Sequence, residues 1–185
     1  MWLFLFSEML LFGGLFLLYG AAMRRYPREF HIAAGEMSTL FGGMNTAILL
    51  SSSLSMALSV AALKKKEKAR SMWFLLGTIL LACAFLSNKY LEWTEKIHHG
   101  FYPNAPELLA LSKGEILFFD LYYIMTGLHG LHVAVGAALF IVVWFLIRGD
   151  RIHSGKPAFL ENCGLYWHLV DIIWIYLFPL FYLIT

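Results

Sequence analysis

The ionisable residues set inside apolar runs carry this chain's chemistry. The segment 166–178, YWHLVDIIWIYLF, holds His168 and Asp171 in otherwise lipid-soluble sequence. Such residues are costly in a membrane helix, so they turn toward the bundle interior and mark structure or function. Glu161, Gly164, His168 and Asp171 follow one another at intervals of three, four and three, which places them on one helical face. A carboxylate on either side of the imidazole could accept its N–H or stabilise its charged form. The chemical readings are a haem or metal ligand, or a proton relay. The alternative is a satisfied interior polar cluster that fixes helix packing, and without a partner motif it is favoured. A second stretch, GLHGLHVAVG at 127–136, places His129 and His132 about one turn apart, a spacing at which two histidines could share a metal. Gly127, Gly130, Ala134 and Ala138 crowd the same helix, with the last three at intervals of four. A tight helix crossing through these small residues is preferred to ligation.

Glu8 stands apart, about a third of the way along an apolar segment with no basic residue on its own helix to pair with. It is a candidate buried, proton-active acid of the kind that reacts with carbodiimides. The alternative is a neutral carboxylic acid hydrogen-bonded to another helix, and both readings stay open. Lys89 and Glu92 are three apart, with Lys96 four beyond, so ion pairing along one face is available, as is snorkelling toward the interface. Ser38, Asn45, Thr46, Ser51, Ser52, Ser53, Ser55 and Ser59 supply uncharged polar groups for interhelical hydrogen bonds. Cys83 and Cys163 form no CxxC pair, which argues against a redox dithiol or a zinc site.

The elements that position these groups are membrane helices. The chain is 60% hydrophobic and 17% aromatic, with a mean hydropathy of +0.69; that balance excludes a water-soluble domain. Spans of the required length, about 20 residues, are expected near 2–23, 37–63, 71–95, 115–147 and 160–184. Short polar loops separate them at 24–31, 64–70, 98–106 and 148–157. The expectation is an all-α membrane protein, a five-transmembrane-helix bundle forming a single transmembrane domain over residues 1–185. The first segment lacks a basic leader and is interrupted by Glu8, so it reads as a retained span. The basic residues sit in loops and form no stripe, which speaks against nucleic acid as a partner. Lys64, Lys65, Lys66, Lys68, Arg70, Arg148, Arg151 and Lys156 share one side; Arg24, Arg25, Arg28, Lys96 and Lys113 share the other. The positive-inside rule then puts the N-terminus in the cytoplasm and the C-terminus outside.

Five segments in order resemble subunit III of the haem–copper terminal oxidases, the cytochrome c and quinol oxidases. FLFSEMLLFGGLF at 4–16 resembles the family segment bearing a carbodiimide-reactive acid, with Glu8 at that position. MNTAILLSSS at 44–53 resembles its Asn-Thr stretch, and NKYLEW at 88–93 its Lys-or-Gln, x, x, Glu, aromatic pattern. TGLHGLHVAVG at 126–136 resembles its Gly-x-His-Gly-x-His-Val signature. ENCGLYWHLVDIIWIYLF at 161–178 resembles its closing helix, with Glu161, Trp167, His168, Asp171 and Trp174 in register.

The resemblance implies a non-catalytic subunit with no catalytic, cofactor or metal residues of its own, haems and copper lying in partner subunits. It implies direct packing on subunit I, association with subunit II and other oxidase subunits, bound phospholipid, and support of proton uptake within a complex that reduces O₂ to water and pumps protons. The implied location is the bacterial cytoplasmic membrane, crossed several times. Glu161, His168, Asp171, His129, His132, Lys89 and Glu92 are then expected to be a structural polar cluster, and Glu8 the proton-active acid. Longer family members have seven helices, two of which precede the stretch matched here. A five-helix accessory subunit of nitric oxide reductase shares the motifs and stands as the alternative. An independent haem- or metal-binding membrane protein built on His129, His132 and His168 stands third.

Overall fold

The computed structural model describes residues 1–98, 100–103, 105–155 and 157–184. His99 and Asn104 of the 98–106 loop, and Lys156 of the charge count, lie outside the described residues. Among those described there are seven helices and no strands: α1 Trp2–Arg25, α2 Pro27–Gly35, α3 Thr39–Lys64, α4 Lys68–His98, α5 Pro106–Leu109, α6 Lys113–Arg148 and α7 Ala158–Tyr182. Five of them, α1, α3, α4, α6 and α7, are long and apolar enough to cross a bilayer. This is the expected helical membrane class.

The 24–31 segment, expected as a loop, is largely helical. Pro27 opens α2 where its missing N–H costs nothing, Glu29 lies in the first turn, and Phe30, Ala33 and Ala34 are buried. Helix α6 begins with a capping box. The Ser112 hydroxyl accepts the Glu115 N–H (3.4 Å), and the Glu115 carboxylate accepts the Ser112 N–H (3.0 Å). Helices α3, α4 and α6 end alike, on a residue with positive φ: Lys66 (65°), Gly100 (77°) and Asp150 (56°). In each, the next N–H reaches back five residues and the left-handed residue's own N–H three, as in Glu67→Ala62 (2.9 Å) and Lys66→Leu63 (3.0 Å). These bonds satisfy carbonyls the helix end would orphan.

The chain forms two compact units, to which α3, α4, α6 and α7 all contribute residues. The first comprises residues 1–44, 88–129 and 173–185. Its core is aromatic. Tyr19 meets Phe30 and Phe181 edge-on (centroids 5.3 and 5.1 Å), and Phe118 meets Phe30 and Phe181 (5.4 and 5.5 Å). Such contacts add to plain area burial. The Tyr19 hydroxyl also donates to the Leu180 carbonyl, one of the acceptors left open at the end of α7. Helix α1 buries only Phe12, Tyr19 and Ala22; Leu3 is 86% and Leu17 79% exposed.

The second unit comprises residues 45–87 and 130–172 and is organised around Trp167. The Trp167 indole N–H donates to the Ser52 hydroxyl (3.0 Å), and its ring packs edge-on to Phe140 (5.0 Å). Gly136 lies so close to Trp167 that a β-carbon there would fall 2.7 Å from the ring. Serines bind α3 to α4: Ser55 donates to the Phe74 carbonyl (2.7 Å) and Ser59 to the Ser71 carbonyl (2.9 Å). At the loop end, Lys68 reaches Asp150 (2.5 Å) and the Arg148 carbonyl (3.1 Å), placing a cation at the C-terminus of α6.

Candidate functional site

Lys89 and Glu92 form the closed polar centre of the first unit. One helical step of three brings them together on α4 (3.0 Å), and they are 6% and 2% exposed. The ammonium has three N–H donors, and three acceptors surround it: Glu92 Oε2, the Tyr122 oxygen (2.9 Å) and the Tyr182 oxygen (3.1 Å). Both tyrosine hydroxyls in turn donate to Glu92 Oε1, at 2.7 and 2.6 Å. Every proton is placed and both carboxylate oxygens are occupied, the condition under which a buried pair is tolerable. The Tyr122 ring, 4.8 Å from the ammonium, adds a cation–π contact. Lys89 therefore does not snorkel. Lys96 turns instead to the Glu36 carbonyl. Glu92 also borders a cavity of about 220 Å³ with Glu36, Glu95 and Lys96 at its wall.

The two histidines of α6 have separate surroundings. His129 is fully buried in the first unit, its ring 5.3 Å from that of Trp174. His132 belongs to the second unit and is half-buried, and its backbone carbonyl accepts the Tyr166 hydroxyl (2.9 Å). The small-residue stripe expected to make the tight crossing points elsewhere. Ala134 and Ala138 are exposed, and a β-carbon at Gly130 would meet nothing within 4 Å. Close approach falls at Gly136, against Trp167, and at Gly127, where a β-carbon would stand 3.1 Å from Trp93. The buried face of α6 runs through Thr126, His129, Val133, Gly136 and Phe140, and the interval-of-four stripe drifts off it.

On α7 the expected pairing of His168 with its flanking carboxylates gives way to bonds with α3. His168 Nδ1 shares a 2.7 Å hydrogen bond with the Ser53 hydroxyl, and Glu161 pairs with Lys64 (2.6 Å). Side chains three or four apart on one helix run side by side, whereas a facing helix presents groups head-on. Asp171 is 3% exposed, and its polar neighbour is Ser53 on α3. The expected seven-residue cluster is thus distributed: Lys89, Glu92 and His129 belong to the first unit, and His132, Glu161, His168 and Asp171 to the second. Glu8 is half-buried on the sparsely covered α1. Ser53 makes one of the interhelical hydrogen bonds expected of the α3 serines, whereas Tyr122 and Tyr182 are partners the sequence reading does not single out. A tyrosine inside an apolar run brings a hydroxyl that needs a partner, and that was the available signal.

Among the described residues, no three of His, Cys, Asp and Glu converge to hold a metal ion. The geometry supports helix fastening by internal ion pairs and hydrogen bonds inside a multi-pass membrane protein. Comparison with known proteins narrows that class. The chain matches the family model described as cytochrome c oxidase subunit III over residues 1–185. It is 32% identical to cytochrome c oxidase subunit 3 of Thermostichus vulcanus, across 98% of this chain and 84% of that protein. It is 34% identical to the Synechocystis protein of the same name, across 98% and 73%. It is 32% identical to the heme-copper oxidase subunit I+III of Aeropyrum pernix, across 100% of this chain and 22% of that protein. The chain belongs to the cytochrome c oxidase subunit III family and is a haem–copper oxidase subunit III.

Proposed function

We propose that this chain is the non-catalytic helical partner of the oxidase's subunit I, stabilising it and supporting proton uptake, and that it resides in the bacterial cytoplasmic membrane. The observation that carries this reading is the commitment of its ionisable side chains to internal structure. Lys89 and Glu92 are closed in by two tyrosines, His168 is bonded to Ser53, and Glu161 to Lys64. Haem and copper then belong to neighbouring subunits, and oxygen reduction happens there.

Two further observations favour packing on subunit I. The Aeropyrum pernix relative carries subunits I and III in one polypeptide by its name. Helix α1 leaves most of its apolar surface uncovered by this chain, and Gly13, Gly14 and Gly20 have open space where a β-carbon would stand. Small residues on an apolar face allow a neighbouring helix to approach closely. Glu8 rides on the same helix, where it would supply a proton-active carboxyl beside the catalytic subunit; subunit II and phospholipid complete the surroundings. The test is purification in mild detergent with a tag on this chain. Subunit I should copurify, with haem and copper in proportion to it. Stripped of partners, this chain should carry no stoichiometric haem, copper or zinc by absorption and elemental analysis. One bound metal per isolated chain overturns the non-catalytic reading.

A further inference from the structure

We propose that the α3–α7 seam at His168 is a docking surface for a transmembrane helix of a neighbouring oxidase subunit, one that brings an N–H or O–H donor to the imidazole at mid-membrane depth. His168 is the eleventh residue of α7 and Ser53 the fifteenth of α3. Each stands within about 3 Å of its helix's midpoint, at the centre of a hydrocarbon core about 30 Å thick. His168 Nδ1 is held by Ser53 (2.7 Å). The other ring nitrogen, Nε2, bonds nothing among the described residues, and it is not sealed inside the chain, since His168 is only half-buried. Leu165 and Ile172 lie three before and four after His168 on the same face of α7, and Leu50 lies three before Ser53 on α3. All three are exposed, so an apolar rim surrounds the imidazole edge.

The Ser53 hydroxyl has one proton, and the Asp171 carboxyl is its polar neighbour. A proton directed there leaves the serine oxygen to accept from His168 Nδ1–H, so Nε2 carries the ring's free lone pair. An open acceptor at that depth is costly, because the hydrocarbon core offers neither water nor any other donor. Lipid headgroups are about 15 Å away. The chain buries its other mid-span ionisable groups, Lys89, Glu92 and Asp171, among its own helices. A second copy docked with this site on a two-fold axis would set Nε2 against Nε2, two acceptors with no proton between them. What fits is a different helix, whose hydroxyl, amide or indole N–H supplies the proton and whose aliphatic neighbours pack on the rim. The inference rests on the reading of this chain as an oxidase subunit, which supplies the neighbour, and adds a contact residue outside α1.

The test uses the complete complex, purified through a tag on this chain and imaged by electron cryomicroscopy. An N–H or O–H donor of another subunit is expected about 2.7–3.2 Å from Nε2. An acyl chain over His168, or a second copy of this chain there, would overturn the proposal. Two variants give an independent reading. Asparagine places its amide where Nδ1 stands, and glutamine places its amide where Nε2 stands. His168→Asn should keep the Ser53 bond and lose the neighbour. The chain should then leave the complex about three- to tenfold more readily under detergent challenge, the net worth of one hydrogen bond, while its own thermal midpoint holds. His168→Gln should stay bound and show the lower midpoint. The reverse ranking would make His168 a purely internal fastener and refute the docking role. Should neither variant assemble, the wild-type map decides. Recovery of the wild type without another subunit overturns the oxidase reading and this inference together; an intact complex with lipid at His168 overturns this inference alone.

Discussion

Lys89→Met offers the most direct trial of the closed network. Methionine keeps the length of the stem and removes the ammonium. Glu92 Oε2 then loses its one partner, both tyrosine oxygens lose a donor, and a carboxylate that is 2% exposed loses its counter-charge. Breaking a buried pair from one side costs about 3–5 kcal/mol. At about 1.4 kcal/mol per tenfold, that lowers the folded-to-unfolded ratio by about two to nearly four powers of ten. Tyr182→Phe is milder, because Glu92 Oε1 keeps Tyr122 (2.7 Å) and Lys89 keeps two of its three acceptors. A lost bond to a charged group costs about 1.5–3 kcal/mol. Lys89→Met with Glu92→Met removes both charges, and should be less destabilising than Lys89→Met alone. The assay is denaturant unfolding in micelles, followed by fluorescence of the chain's six tryptophans. Loss of under about 1 kcal/mol in Lys89→Met, the range of exposed pairs, would refute the view that this network is a buried, mutually satisfied pair. A double variant as weak as the sum of its parts would refute the pairing.

Neighbouring glycines give an internal control. A β-carbon at Gly42 would fall 2.8 Å from the rings of Phe178 and Tyr182, whereas one at Gly43 meets nothing within 4 Å. Gly42→Ala should destabilise by about 1–3 kcal/mol through overpacking, and Gly43→Ala should stabilise by about 0.5–1 kcal/mol through helix propensity; thermal unfolding of both checks the sign. For Glu8, dicyclohexylcarbodiimide partitions into lipid and should modify it ahead of the loop acids Glu67 and Glu107, as read by peptide mass spectrometry. Glu8→Gln should assemble and still reduce oxygen, with any deficit in proton release or in durability during turnover. Loss of oxygen reduction in a fully assembled complex would contradict the proposed role. Cysteines introduced at 64–70 and 148–155 should be labelled from the cytoplasmic side and those at 100–103 from outside, which tests the orientation inferred from the positive-inside rule.

Much of this protein was readable from the chain alone, wherever the deciding interaction is local. Span length depends on uninterrupted apolar sequence against the thickness of a bilayer, so five long helices followed directly. The Lys89–Glu92 pair needed only a spacing of three on one helix. The Ser112–Glu115 cap had the same kind of local signature, and so did α2, with proline at its start and glutamate in its first turn, although its charge made it read as loop. Family membership was legible for a related reason, since five short motifs occur in order.

Partner choice across helices was decided only by the tertiary structure. Tyr122 and Tyr182 stand 33 and 93 positions from Lys89, and Ser53 stands 115 from His168. Helix period assigns a residue to a face, but the rotation and register of the helix opposite determine which hydroxyl meets which charge. His168 took Ser53 instead of its flanking carboxylates, and Glu161 took Lys64, because the packed helices α3 and α7 brought those groups head-on. The same rule chose Gly136 over the Gly130, Ala134 and Ala138 stripe. Spacing marks residues able to pack closely, and only the bulk of the indole set against them decides which one does.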